Sequence, residues 1–237
     1  VNGAGTVLLT ETVQLGEGRN STWSREAVEN EIHNRLGTKE AVWIRRGLTR
    51  DYDEFGTRGH VDIVACFASP TKILFHNQED PSHPDFSVSH EVKRTLEEHG
   101  GFELIPVAAP KTLRDEESFV DYSYINHYLV NGGVILCGFN DENDSRAVET
   151  LQAAYPDRKI VLVDARPLFA RGGASLTADA SVQINRQTQF LLCAYRQTGH
   201  ARSPPCGTTR GMGAKEGSDC SFGPTRSIRT RKSNHAA

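Results

Sequence analysis

A strand–helix–strand pattern occurs three times along this sequence, and it constrains the fold more than any other feature. Each copy starts with a short apolar segment, continues through a helix with a recognisable stop, and closes with a second apolar segment. The three copies start at Thr6, Lys72 and Gly133, which lie 66 and 61 residues apart. A supersecondary unit that recurs at such an interval predicts a repeated α/β architecture.

The residues themselves suggest where the elements of each unit begin and end. Ser21 or Ser24 can cap the first helix, and Gly37 or the Gly100–Gly101 pair can end a helix. No Gly-x-Gly-x-x-Gly sequence follows any predicted strand, which disfavours a single Rossmann domain. The predicted strands are Thr6–Glu11, Ala41–Ile44, Lys72–His76, Phe102–Val107, Gly133–Gly138 and Lys159–Asp164, with two further strands at His60–Phe67 and Val120–Leu129. The predicted helices are Arg25–Leu36, Ser87–His99 and Ser145–Ala154.

Charge divides the chain into an acidic body and a basic tail. Residues 197–237 carry a net +5 and the whole chain carries −3, which leaves −8 on residues 1–196. The tail has only three large apolar residues, too few for a core, so it is predicted to be disordered. Its Arg226–Lys232 run resembles a nucleic-acid-binding segment, but such runs are usually solvated, and no nucleic-acid partner is predicted. No apolar run approaches the roughly 18–20 residues of a membrane span, so no membrane partner is predicted.

The five cysteines argue against both a disulfide framework and a zinc site. They are odd in number, irregularly spaced and without a Cys-x-x-Cys pair. Cys66, Cys137 and Cys193 each lie in an apolar segment, where a free cysteine behaves as a small buried hydrophobe. This usage predicts a reducing, cytoplasmic setting.

The densest polar stretch, Arg45–Asp62, lies between two predicted strands. Its His60 and Asp62 stand two residues apart at the start of the predicted strand His60–Phe67, which would direct both side chains to one face. A histidine beside a carboxylate suits proton transfer, and the same spacing suits metal ligation. A structural histidine beside a surface aspartate is the commoner outcome for such a pair. The glycines around Thr57-Arg58 would let the backbone approach a bound group, which favours a functional role.

The other histidines of the body do not support a metal site. None repeats the spacing of a ligand pair, so no metal is predicted. They are His76, His83, His90, His99 and His127.

Four segments carry recognisable motifs, in one order along the chain. They are Gly5–Glu11, Asp53–Asp62 with its Gly-His-Val-Asp ending, Asp121–Tyr128 and Val163–Gly173. Together they resemble the agmatine deiminase and bacterial-type peptidylarginine deiminase family. The resemblance implies the pentein fold, a propeller of five α/β units around a central active site. Residues 1–173 would be its C-terminal part with about three units, followed by a divergent segment at 174–196 and the disordered tail at 197–237.

The resemblance also implies a reaction and roles for particular residues. The family hydrolyses a guanidinium to a ureido product and ammonia with no metal or organic cofactor. A cysteine thiolate attacks the guanidinium carbon, while a histidine protonates the departing amine and then activates water. His60 would be this acid/base and Asp62 a carboxylate that holds the planar cation. The substrate-binding residues implied with them are Asp53, Arg171, Gly172 and Gly173.

The substrates that the resemblance implies are small guanidinium cations. Agmatine would give N-carbamoylputrescine, as in putrescine biosynthesis, and peptidyl-arginine would give citrulline; the sequence does not choose between them. A body with a net charge of −8 suits a cationic substrate. The sequence does not indicate an oligomeric state.

The sequence departs from the family pattern where the nucleophile belongs. The family has Gly-Gly-Gly-x-x-His-Cys-x-Thr, whereas Gly173 here is followed by Ala-Ser-Leu-Thr without a His-Cys pair. A short deletion, or a shifted frame or unspliced intron after Gly173, would explain this and the basic tail. Cys193 is too distant and Ser175 too weak a nucleophile to substitute. The prediction is an inherited fold in an inactive chain, with a non-catalytic guanidinium-binding pseudoenzyme or a gene-model fragment as the alternatives.

The start of the chain leads to a further expectation. Val1 is not an initiator methionine, and a predicted strand begins at Thr6. We therefore expect that sequence precedes Val1, and the resemblance implies that further site carboxylates lie there.

Overall fold

Three small β-sheets, each built around a parallel strand pair, make up the part of the chain that the structure describes. The computed structural model describes residues 1–53 and 56–169. The strands are β1 (Thr6–Thr10), β2 (Glu40–Ile44), β3 (Ala65–Ser69), β4 (Lys72–Asn77), β5 (Glu103–Ala108), β6 (His127–Val130), β7 (Gly133–Gly138) and β8 (Lys159–Asp164). The helices are α1 (Glu11–Gln14), α2 (Arg25–Leu36), α3 (Asp85–His99), α4 (Asp144–Ala154) and α5 (Arg166–Phe169), and 3₁₀ turns occupy Thr49–Tyr52 and Val61–Ile63.

The three sheets repeat one topology. β1 pairs with β2, β4 with β5 and β7 with β8, each in parallel and each across one of the helices α2, α3 and α4. In the second and third sheets an antiparallel strand, β3 or β6, precedes the parallel pair. The prediction of a repeated α/β architecture is confirmed. The five-unit propeller stays a prediction, and the proposed tail at 197–237 lies outside the described residues.

The local signals for the ends of the helices are confirmed at α2, and Gly100 follows the last residue of α3 as predicted. The Ser24 side chain accepts a hydrogen bond from the Ala27 N–H, which satisfies one of the donors left free at a helix start. Gly37 follows the helix with a left-handed φ of 68°, a conformation that glycine adopts without strain. Of the two serines considered for this cap, the structure therefore selects Ser24.

Two apolar clusters hold the sheets together, and β4 contributes to both. Ile73 and Phe75 belong to one cluster with Leu8 and Val42, whereas Leu74 belongs to the other with Leu136. This split follows from the alternation of side chains along a strand. The central strand of the second sheet is thus buried on both faces.

Two predicted strands are wrong in part, and the backbone hydrogen bonds explain why. The prediction at His60–Phe67 fails at its start, because His60 and Asp62 lie at a 3₁₀ turn and β3 begins only at Ala65. The His60 N–H donates to the Asp51 carboxylate, and the Ile63 carbonyl accepts from the Ser123 hydroxyl, so these backbone groups bond to side chains and do not join a strand ladder. The prediction at Val120–Leu129 holds only from His127 onward.

The cysteines within the described ranges are free thiols. Cys137 is buried as predicted, and Cys66 is half-buried. Burial raises the pKa of each thiol to about 12, so both are protonated at neutral pH. Cys193 lies outside the described residues. No helix among the described residues is long and apolar enough to cross a membrane.

Candidate active site

The polar stretch Arg45–Asp62 is organised around one buried carboxylate, that of Asp51. Asp51 is only 3% exposed. Its two oxygens accept hydrogen bonds from the Thr57 N–H and hydroxyl, the Gly59 N–H and the His60 N–H, over 2.6–3.0 Å. These bonds close the loop and fix the backbone of His60 at its end. Sequence reasoning missed Asp51, because the spacing alone did not show that the chain returns onto this carboxylate.

Gly59 is required by the close packing of the loop on itself. Its φ of 94° lies in the region that favours glycine, and a Cβ there would stand 2.3 Å from the Tyr52 hydroxyl oxygen. That hydroxyl accepts a hydrogen bond from the Gly47 N–H at 3.0 Å and lies 2.8 Å from the Thr12 hydroxyl. The space expected for a bound group at this glycine is therefore filled by the chain itself.

His60 and Asp62 come together on the exposed side of this loop. The His60 Nδ1 atom lies 4.0 Å from the Asp62 Oδ1 atom, and the two side chains are 38% and 37% exposed. The 3₁₀ turn brings them together, not the strand alternation that the sequence suggested. The pair is accessible to a small molecule from solvent.

A guanidinium of the same chain lies beside this pair. The Arg19 Nη2 atom stands 3.5 Å from the His60 Nε2 atom, at the outer limit of a hydrogen bond. A guanidinium can only donate, so a hydrogen bond at this position would need an Nε2 lone pair as its acceptor. The site therefore presents an imidazole and a carboxylate side by side at the surface, next to a guanidinium.

Of the other predicted site residues, the structure describes only Asp53. Asp53 is exposed, and among the described residues no hydrogen bond or ion pair joins it to His60 or Asp62. Arg171, Gly172 and Gly173 lie outside the described residues.

Asn126 is a second residue that sequence reasoning missed. It is fully buried, and its Nδ2 atom donates to the Asp62 Oδ2 atom at 3.1 Å. The segment Asp121–Tyr128 was noted as a family motif, but the contact joins residues 64 positions apart. No local pattern in the sequence indicates such a pair.

A buried polar layer lies beneath the loop. The Thr49 N–H and hydroxyl both donate to the Asp85 Oδ1 atom, at 2.7 and 2.6 Å, and Asp85 is 1% exposed. Burial lowers the pKa of His76 to about 4 and lowers that of His83, although Asp85 opposes the shift at both. Both imidazoles are thus neutral at physiological pH. Burial, with a contribution from the Asp51 and Asp85 charges, raises the pKa of Asp121 to about 6.

Two arginines of the polar stretch hold the loop in place. Arg46 pairs with both oxygens of Glu91 on α3, at 3.0 and 2.8 Å. Arg50 pairs with Asp115 at 2.6 Å and with Glu117 at 3.2 Å. The polar stretch therefore combines structural ion pairs with the solvent-accessible His60–Asp62 pair.

A cavity of about 100 Å³ adjoins Asp62. Its polar lining includes Cys66, His127 and Tyr155, with the His127 Nε2 atom 3.0 Å from the Tyr155 hydroxyl. Because the pKa of Cys66 is raised to about 12, this thiol is a poor nucleophile despite its position. No three His, Cys, Asp or Glu side chains within 1–53 and 56–169 are grouped as a metal site requires.

Known proteins are similar to this chain in sequence and in fold. The family model of Porphyromonas-type peptidyl-arginine deiminase matches residues 1–177. A Streptomyces avermitilis protein that carries an agmatine deiminase assignment is 54% identical over 180 residues, covering 73% of this chain and 52% of its own length. The agmatine deiminase of Pseudomonas syringae is 31% identical over 196 residues, with 73% and 52% covered.

Solved structures agree with these relatives. A Cys-to-Ser variant of C. jejuni agmatine deiminase with substrate bound has a TM-score of 0.68 and 28% identity, with 73% of this chain and 51% of that chain covered. The agmatine deiminase of Enterococcus faecalis has a TM-score of 0.68 and 30% identity, with 73% and 53% covered.

The chain spans about half the length of the relatives and structures that it matches. The family match runs from residue 1 to residue 177 and so includes all three βαβ units. The chain therefore belongs to the Porphyromonas-type peptidyl-arginine deiminase family, as its four motifs predicted.

Proposed function

We propose that this chain carries the acid/base and cation-binding part of a guanidine deiminase site. The observation that carries the proposal is the His60–Asp62 pair, held 4.0 Å apart on an exposed turn, in a chain similar to agmatine deiminases. The reaction would be the hydrolytic deimination of agmatine to N-carbamoylputrescine and ammonia, as in putrescine biosynthesis. Peptidyl-arginine, which would give citrulline, is the competing substrate.

Each residue of the pair has a distinct role in this proposal. The Asp62 carboxylate accepts hydrogen bonds from guanidinium N–H groups, as a planar cation and a carboxylate favour. In the family reaction a cysteine thiolate first bonds to the guanidinium carbon. His60 would then protonate the nitrogen as its C–N bond breaks and ammonia leaves, and would next take a proton from the water that displaces the thiolate and gives the ureido product. The sequence after Gly173 does not supply that thiolate from a His-Cys pair. Arg19 beside His60 supports this assignment, since a guanidinium already fits at that position. No cofactor enters the reaction.

The remaining parts of the proposal concern the architecture and setting. The three sheets would be three units of a pentein propeller, with the other units in the half of the relatives that this chain does not cover. The segments 174–196 and 197–237 would be a divergent replacement of the nucleophile loop and a basic disordered tail. A small guanidinium substrate in a cytoplasmic setting completes the proposal.

A second function, guanidinium binding without turnover, is favoured by one specific observation. The sequence after Gly173 has no His-Cys pair, and the two described cysteines are protonated thiols because burial raises the pKa of each to about 12. A thiol in this state cannot attack the guanidinium carbon efficiently. In this case the chain would retain the cation-binding Asp62 carboxylate and bind agmatine without converting it.

The two functions are separated by titrating the purified 237-residue chain with agmatine. Calorimetry measures binding, and a coupled ammonia assay with product analysis measures turnover. Binding with ammonia release identifies the deiminase, and binding without it identifies the pseudoenzyme. His60→Gln should abolish turnover and preserve most binding, whereas Asp62→Asn should weaken binding itself. Failure of the chain to bind either agmatine or an arginine peptide contradicts both functions.

A further inference from the structure

The turn that precedes β6 lies directly under the site. Ser123 and Asn126 are both fully buried, and the neighbouring Tyr124 and Ile125 belong to the apolar cluster of the third sheet. The turn is therefore fixed to a rigid part of the fold. None of its residues has a role in the reaction proposed above.

Two hydrogen bonds join this turn to consecutive residues of the 3₁₀ turn at Val61–Ile63. The Ser123 hydroxyl donates to the Ile63 carbonyl oxygen at 2.7 Å, and the Asn126 Nδ2 atom donates to the Asp62 Oδ2 atom at 3.1 Å. The first bond holds the backbone of the 3₁₀ turn. The second holds the carboxylate itself.

His76 completes the support of Ser123. Its Nδ1 atom lies 3.1 Å from the Ser123 hydroxyl oxygen. Because the hydroxyl proton goes to Ile63, this oxygen must accept from His76, so the neutral imidazole carries its proton on Nδ1. The Ile125 N–H also donates to the hydroxyl oxygen, at 3.2 Å. Ser123 thus accepts two hydrogen bonds and donates one.

We propose that Asn126 is a positioning residue that sets the orientation of the Asp62 carboxylate for guanidinium binding. The proposal rests on the proposed function, in which Asp62 holds the cation. The bond to Asn126 engages Oδ2 and leaves Oδ1 facing the His60 Nδ1 atom at 4.0 Å. The hydrogen bond from a buried amide to Oδ2 restrains rotation of the carboxylate and so its plane. A planar cation needs that plane, because its paired N–H groups bind only to a correctly aligned carboxylate.

Burial decides that Asn126 acts through Asp62. Asn126 is fully buried, whereas Asp62 is 37% exposed along its side chain. The amide thus supports the carboxylate from the protein side, while the ligand approaches from solvent. A hydrogen bond to an ionised group contributes more than a neutral one, and its loss should weaken agmatine binding about tenfold.

The test is a double-mutant cycle on agmatine affinity, measured by calorimetry on the 237-residue chain. It uses the wild type, Asn126→Ala, Asp62→Asn and the double variant. If Asn126 acts through Asp62, its removal costs about tenfold in the wild type and almost nothing once Asp62 is Asn. Equal losses in both backgrounds would show that Asn126 has only a structural role and would overturn the proposal.

Asn143→Ala is the matched control. Asn143 is also buried, and its amide donates to the Ala109 carbonyl oxygen at 2.7 Å, away from Asp62. The two alanine variants should lower stability alike, but only Asn126→Ala should weaken agmatine binding. If Asn126→Ala does not fold, Asn126→Ser takes its place in the cycle, because a serine keeps a polar group in the buried position.

A second measurement separates this proposal from the proposed function. If the wild-type chain does not bind agmatine, the proposed function fails for this chain, and side-chain amide NMR decides on the positioning contact alone. A buried Nδ2–H bond to a carboxylate predicts an Asn126 amide that is protected from exchange and shifts strongly in Asp62→Ala. An Asn126 amide that exchanges freely, or that is insensitive to Asp62→Ala, would overturn the positioning role.

Discussion

Asp51 and Asp62 belong to one polar stretch, yet they lie in opposite environments. Asp51 is 3% exposed and accepts hydrogen bonds from three residues of its own loop. The Asp62 side chain is 37% exposed, with Oδ1 directed to His60 and Oδ2 to Asn126. The first carboxylate is enclosed by its own loop, whereas the second is reached from solvent. Burial and hydrogen bonding therefore separate the carboxylate that holds the loop from the one proposed to bind the cation more clearly than residue type or spacing does.

The largest expected effect comes from removing the structural acid. Asp51→Ala leaves the donors of Thr57, Gly59 and His60 without their buried acceptor, and should lower the free energy of unfolding by about 4 kcal/mol. Urea unfolding of the variant and the wild type measures this loss of stability. Asp53→Ala, on an exposed carboxylate two residues away, should change stability by less than about 0.5 kcal/mol. Equal losses in both variants would refute the assignment of Asp51 as the loop's anchor.

Gly59→Ala tests the close packing of the same loop. The new Cβ would meet the Tyr52 hydroxyl oxygen at 2.3 Å and would force a side chain onto a φ of 94°, for a loss of about 3 kcal/mol. Gly18→Ala is the control, because Gly18 has a φ of 79° with nothing within 4 Å. It isolates the backbone strain, about 1 kcal/mol. A loss at Gly59 no larger than at Gly18 would show that the Tyr52 contact does not constrain this position.

Local signals in the sequence predicted the repeated units. The same signals could not predict contacts between residues that are distant in the sequence. Ser24 and Gly37 mark the ends of α2 through short-range capping, which depends only on neighbouring residues. His60 and Asp62 were predicted as a pair, but from a strand that is a 3₁₀ turn. Asn126 went unnoticed because its contact with Asp62 is set by tertiary packing of two units.

Asp121→Asn tests the buried layer, where ionisation opposes folding. The pKa of Asp121 is raised from 3.8 to about 6, so the folded state resists losing this proton. The ionisation cost is fully present above pH 6 and disappears as the pH falls toward 3.8. The substitution should therefore increase stability by about 2 kcal/mol at pH 7.5 and by almost nothing at pH 3.8. Thermal unfolding across this pH range measures the difference.

Asp115→Asn provides the opposite case for that prediction. Hydrogen bonds from Ser118 and Arg50 outweigh burial and lower the pKa of Asp115. Ionisation of this group favours the folded state, so its substitution should reduce stability near neutral pH, and the loss should fade in acid. Stabilisation by both substitutions at pH 7.5 would contradict the distinction between the two carboxyls.

The smallest expected effect is a change in agmatine affinity when Arg19, beside the exposed His60–Asp62 pair, is replaced. Its guanidinium stands 3.5 Å from the His60 Nε2 atom, where the proposed substrate would bring its own guanidinium. Both cations cannot occupy one position, so Arg19→Ala should strengthen agmatine binding. The contact is long and solvent-exposed, which limits the gain in affinity to about fivefold.

The control is Arg35→Ala, on an exposed arginine paired with Glu31 along α2, which should leave the affinity unchanged. Calorimetric titration of both variants measures the difference. Weaker binding in Arg19→Ala would mean that Arg19 assists the ligand, and unchanged binding would place the ligand away from the His60 Nε2 atom.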